Sequence, residues 1–147
     1  MAEQEYHLAR GVVYRSRIGD AKQVIKQRSG KAVFAAVNIL RNGIVTLMAN
    51  GSRTGRMYRK PGTKKYYQAS APGEPPARRF GKLLQSIRII LEQDEEFTYG
   101  FVGTDLIYAP PLETGTEDGR LQARPFFEKG YENSKEQAIA VLEQFGE

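Results

Sequence analysis

Apolar residues along this chain change their period several times, and each change predicts an element. In "VVYRSRI", Val12 to Ile18, apolar and basic residues alternate as in a half-buried edge strand. Asp20 can then cap a helix whose first turns hold Val24 and Ile25. Val33, Phe34, Val37, Leu40, Ile44, Leu47 and Met48 recur at spacings of three and four, which is one helical stripe. A helix from Ala21 to Asn50 would run about 45 Å at 1.5 Å per residue. Gly30 and Gly43 lie inside it, each costing about 1 kcal/mol relative to alanine. A bend, a close helix contact or a break would account for them. "NGS", Asn50 to Ser52, is a stop signal.

The period then vanishes. "RTGRMYRKPGTKKYYQAS" mixes basic and aromatic residues around "KPGT", where glycine follows proline as a type II turn requires. The expected hairpin has arms at Arg53–Arg59 and Lys64–Ala69, and few of its residues could enter a core. It should project from the domain. "GKLLQSIRIIL" begins helical and becomes β-branched, and "EEFTYGFVGT" puts Phe97, Tyr99 and Phe101 on one face. These two stretches form a second hairpin around Glu92–Glu95. "DLIYAPPLETGT" is a short apolar piece, two prolines and a Gly-rich turn, and "EDGRLQA" reads as loop. In "RPFFEKGYENSKEQAIAVLEQFGE" proline opens a helix. Tyr131, Ala138, Val141, Leu142 and Phe145 give it an apolar face, and Gly130 weakens its first turn. The pattern therefore predicts one α+β domain over residues 1–147. An antiparallel sheet is flanked by a long N-terminal helix and a C-terminal helix, with a projecting basic hairpin at 51–69 and a Pro-rich arm at 70–80.

Charge sharpens this picture. Residues 51–90 carry ten basic side chains and one acidic, Glu74, whereas residues 91–147 carry four basic and thirteen acidic. The chain's net charge of +5 thus hides a basic middle and an acidic last third. Such a division fits a polyanionic partner for the basic part, or the acidic part of another copy. Two solvated faces without a partner are the plain alternative. With a mean hydropathy of −0.52 and no run near the ~18 apolar residues of a membrane helix, no membrane partner is expected. The opening "MAEQEYHLAR" lacks signal-peptide order, so a cytosolic start is expected.

Candidate chemistry is sparse. There are no cysteines and one histidine, His7, so no disulfide, thiolate or His/Cys metal site is expected, and no cofactor. No P-loop or nucleophile elbow appears. Asp105, Glu113 and Asp118 could be pressed into a metal-dependent nuclease, although nothing in their spacing requires it. The better signal is the basic hairpin. Arg53, Arg56, Arg59, Lys60, Lys64 and Lys65 are interleaved with Tyr58, Tyr66 and Tyr67. Such cations neutralise phosphates without sequence preference, and tyrosines stack on bases or sugars. Docking on an acidic neighbour is the competing reading.

Three blocks carry a family resemblance. "SAPGEPPARRFGKLLQSI", then "VGTDLIYAPPLETGT", then "ARPFFEKGYE" resemble, in order and spacing, the small neck or tail-completion proteins of long-tailed bacteriophages. This is the head–tail joining family of HK-type phages, which includes relatives of the lambda tail-completion protein. The matching positions are Ala71–Pro76, Gly81, Leu83, Ser86, Ile87, Val102–Thr104, Tyr108, Ala109, Leu112, Glu113, Gly115, Thr116 and Ala123–Phe126. Many relatives have an acidic residue and threonine before the first glycine, where this chain has Arg79 and Phe80. The hairpin is also longer than in a minimal member.

The resemblance implies a structural virion protein and not an enzyme, assembled in the host cytoplasm and located at the head–tail junction. It would form a sixfold or twelvefold ring of copies around the DNA channel. Its other partners would be head-completion or portal-side proteins and tail-terminator or tail-tube proteins, with non-specific contact to viral DNA. Rings need two different complementary faces, which the charge division can supply. On that reading Arg53, Arg56, Arg59, Lys60, Lys64, Lys65, Arg78 and Arg79 face DNA or a neighbouring subunit. Pro72, Pro75 and Pro76 stiffen either an arm laid on a neighbour or a rigid intradomain loop. Glu113 and Arg124 form an ion pair within or between subunits. The alternative function is sequence-nonspecific nucleic-acid binding through the hairpin.

Overall fold

The computed structural model describes residues 12–15, 22–77 and 81–146. Its elements are β1 (Val12–Arg15), α1 (Lys22–Asn50), β2 (Met57–Arg59), β3 (Tyr66–Gln68), α2 (Lys82–Ser86), β4 (Arg88–Gln93), β5 (Phe97–Gly103), α3 (Ala109–Thr114) and α4 (Phe127–Gly146). The fold is α+β, with a long N-terminal helix, two small antiparallel sheets and a C-terminal helix. His7, Asp20, the expected continuation of the first strand to Ile18, and Arg78 and Arg79 lie outside the described residues.

The main sheet has the order β1-β5-β4, all antiparallel, so β1 is an edge strand as its alternation predicts. Helix α1 lies across this sheet with Val33, Val37, Leu40, Ile44 and Met48 buried. Phe34 from the expected stripe is 49% exposed, one position off the buried seam. The stretch Lys26–Asn50 is long and apolar enough by length and composition to cross a membrane. Here its most apolar face is turned to the sheet and α4 instead. Gly100 of β5 makes the close approach of α1 feasible. A Cβ there would sit 2.5 Å from Val37 Cγ1 and 2.6 Å from Val33 Cγ1. The buried positions of β5 are accordingly Thr98 and Gly100, facing the helix. The aromatic row Phe97, Tyr99 and Phe101 occupies the opposite face, with successive ring centroids 5.9 and 6.5 Å apart.

Helix α4 runs antiparallel to α1, and two glycines set how close they come. A Cβ on Gly130 would lie 2.6 Å from Ile44 Cγ1 and 2.7 Å from Ile44 Cα. A Cβ on Gly43 would collide with Ser134, whose hydroxyl is turned back onto the Gly130 carbonyl. Of the three explanations for Gly43, the close helix contact is the one realised. Further along, Ala138 packs with Ala36 and Leu40. The second core cluster joins Ile44 and Met48 to Leu83, Ile87, Ala109 and Phe126.

The hairpin β2–β3 is a separate two-stranded sheet. Its ladder is shorter than its expected arms, since Tyr58↔Tyr67 is flanked by one pair on each side. Backbone bonds between Gly55 and Ala69 (2.9 Å) and between Ala69 and Arg56 (2.9 Å) continue it toward the body. The turn closes with Lys60 N–H on Lys65 O at 2.8 Å and Thr63 N–H on Lys60 O at 3.1 Å. Gly62 has φ 72°, the left-handed value that the third position of a type II turn requires.

Candidate functional site

The hairpin has two chemically different sides. Pairing puts Tyr58 and Tyr67 together on one side, with ring centroids 6.0 Å apart. Arg59 and Tyr66 pair on the other, where Tyr66 is 63% exposed beside exposed Met57. Arg56, Lys64 and Lys65 are exposed and Lys60 is half-buried. Arg59 is exposed while its Nε donates to Thr63 O at 2.8 Å, which stiffens the tip. None of these five cations pairs with a carboxylate among the described residues. Arg53 departs from the group. It donates to Met48 O at 3.4 Å and Ala49 O at 3.2 Å, capping the carbonyl end of α1.

The single acid of the basic segment serves the hairpin's root. Glu74 accepts from Ala71 N–H at 2.7 Å, Thr54 N–H at 3.0 Å and Thr54 Oγ1 at 2.7 Å. These bonds, Ala71's first, hold its carboxyl below the ordinary value of 4.5. Sequence reasoning noted Glu74 only as a charge. Its isolation among ten cations was the signal that it has an internal task.

The Pro-rich segment is not an extended arm over residues 70–77. It turns on itself, Glu74 N–H to Ala71 O at 3.1 Å, and bonds to the chain's own 120s through Gly73 N–H to Ala123 O at 2.9 Å. Lys129 Nζ also reaches Gly73 O. Pro75 and Pro76 are buried, while Pro72 is exposed. Of the two roles expected for these prolines, the intradomain loop is the one observed.

The expected Glu113–Arg124 ion pair does not form within the described chain, because each has other work. Glu113 accepts from the N–H groups of Phe126 (2.8 Å), Phe127 (3.0 Å) and Glu128 (2.9 Å), closing the N-terminus of α4. Arg124 donates from Nε to Ser70 Oγ at 3.0 Å and from its terminal nitrogens to Ser70 O at 3.4 Å and Gln122 O at 3.3 Å. Its backbone N–H bonds Leu112 O at 2.7 Å. The three sequence blocks are thereby tied into one hydrogen-bonded unit beneath the hairpin.

Between that unit and the hairpin lies a pocket that sequence reasoning missed. It has a volume of about 590 Å³ and is lined by Met48, Tyr67, Leu83, Tyr108 and Leu112, with Lys82 and Arg124 as its cations. Among the described residues no carboxylate lines it. Its walls come from segments far apart in sequence, so no local period announces it.

The acids considered for metal chemistry are separately engaged. Asp105 pairs with Arg88, whose hydrogen bond lowers its pKa. Asp118 accepts from Thr116 Oγ1 at 2.7 Å and from Arg120 N–H at 3.1 Å, and Glu113 caps α4. Among the described residues no group of three or more His, Asp or Glu side chains is arranged to hold a metal ion. In comparisons with known proteins, the chain matches no family model, no curated protein and no solved structure.

Proposed function

We propose that this chain is a ring-forming structural protein of the head–tail junction of a long-tailed bacteriophage, joining tail to head around the DNA channel. The observation that carries this reading is the convergence of the three resembling blocks. Gly73 bonds Ala123, Arg124 bonds Ser70 and Leu112, and Glu113 caps the helix that follows. Residues that resemble one family pattern at three separate places are thus one structural unit, and it carries the basic hairpin at its edge. The chain would act as a scaffold, with no catalytic step of its own. Imaging the purified protein by negative stain, alone and with portal-side and tail-tube proteins, tests this. Rings, or particles bridging the two partners, are expected. Monodisperse single copies that bind neither partner would end the proposal.

A second reading has its own support in the hairpin, where Arg56, Arg59, Lys64 and Lys65 stand exposed around Tyr58 and Tyr66. On that reading the protein binds nucleic acid without sequence preference, through phosphate neutralisation and stacking. Tight binding of short duplexes by single copies, weakening steeply with salt, would favour it over the ring.

A further inference from the structure

We infer that the pocket at the foot of the hairpin is the socket for the last turn of α4 from a second copy of this chain, with Phe145 as the inserted side chain. The inference deepens the ring reading and rests on it.

The pocket is apolar and aromatic inside and cationic at Lys82 and Arg124, with no acid among the described residues of its lining. Arg124 spends its hydrogen bonds on the neutral oxygens of Ser70 and Gln122, so its charge is held in place without being neutralised there. Its complement is a large apolar side chain set among negative groups. The C-terminal turn of α4 has that composition. Phe145 is 44% exposed, Glu143 precedes it and Glu147 follows in sequence, and the last turn carries no basic residue. The carbonyl end of the helix adds its own partial negative charge.

Geometry makes the contact intermolecular. Helix α4 begins at Phe127, three residues past Arg124, and runs antiparallel to α1 away from the pocket. Phe145 is eighteen residues further on, or about 27 Å at 1.5 Å per residue. The knob and the socket therefore sit at opposite ends of one molecule and cannot meet in it. Two different complementary faces on opposite ends give a heterologous contact, which closes into a ring when the rotation per subunit allows it.

The absence of cysteine in the chain gives a direct test. Phe145→Cys combined with Tyr108→Cys at the pocket, oxidised in the full-length protein, should yield a ladder of disulfide-linked multimers, whereas each single variant stops at dimers. Independently, Phe145→Asp should weaken self-association in sedimentation by about tenfold or more. If the wild type assembles but the paired variant gives no ladder, or Phe145→Asp assembles like wild type, the socket is wrong and the ring stands on another interface. If the wild type does not assemble and the paired variant gives no ladder, the socket and the self-assembling ring both fall.

Discussion

Glu113 accepts the backbone N–H of Phe126 at 2.8 Å, so the helix α4 is capped from the end of α3 and not from its own approach. The residues just before α4 are Arg124, Pro125 and Phe126, none of which has a side-chain acceptor. A helix N-terminus presents unpaired N–H groups and partial positive charge. The carboxylate of Glu113 answers both, and it fixes fully buried Phe126 between α1, α2 and α3.

Removing that carboxylate should cost stability. Glu113→Ala is expected to lower unfolding free energy by about 2 kcal/mol, the upper range for a cap with charge-assisted bonds. Glu113→Gln should lose roughly half as much, because one oxygen acceptor remains. Urea denaturation reads both, and a wild-type midpoint for Glu113→Ala would refute the capping role.

The helix glycines separate into two kinds. Gly30 has nothing within 4 Å of an added Cβ, so Gly30→Ala should stabilise the protein by about 0.5–1 kcal/mol through helix propensity alone. Gly130→Ala would drive its methyl against the backbone of Ile44, and Gly43→Ala would strike Ser134. Each should destabilise by about 1–3 kcal/mol, as overpacking does. Thermal melts of the three variants test this sign reversal. A uniform gain would mean that α1 and α4 pack more loosely than the glycines require.

How much of this was legible depended on the range of the interactions. The stripe from Val33 to Met48 announced α1, and "KPGT" announced the hairpin turn, because each is a local pattern. Phe34 was counted in the stripe since a three-and-four period does not say where the seam ends. The aromatic alternation in β5 was visible, yet the face pressed on α1 belongs to Thr98 and Gly100, since helix approach there needs small residues. Arg53, Glu74, Glu113 and Arg124 found backbone partners between 2 and 54 positions away, the distant ones brought close only by folding. Side-chain charge therefore suggested ion pairs where the chain builds caps and loop locks.

Hydrogen bonding of carboxylates also predicts acid sensitivity. Ala71 and Thr54 hold Glu74 below its ordinary 4.5, and backbone N–H groups of Phe97 and Glu96 likewise lower Asp94 from 3.8. A carboxyl with a depressed folded pKa binds fewer protons folded than unfolded. Its stabilising contribution is complete above the unfolded value and disappears as pH falls from there through the folded one. Stability should therefore be flat near neutrality and decline below about pH 4.5. Glu74→Gln should be less stable at neutral pH and decline less steeply in acid. Parallel melting curves against pH for variant and wild type would contradict this.

The hairpin allows function and stability to be separated. Its ladder is joined to the main sheet by no strand pairing, and Lys64 and Lys65 are exposed. Replacing Lys60, Lys64 and Lys65 together by Gln should therefore change stability by no more than about 0.5 kcal/mol per site. If the ribbon lies along duplex DNA, affinity should fall and the dependence of log K on log salt should flatten by about 2 to 3, near 0.9 per lost phosphate contact. If it docks on protein, DNA binding would be weak from the start and the triple variant would lose partner capture instead. The two readings thus give opposite results with one variant, read by fluorescence anisotropy on short duplexes and by pull-down with the proposed tail-side partner. A variant that behaves as wild type in both would show that the cations are only a solvated surface.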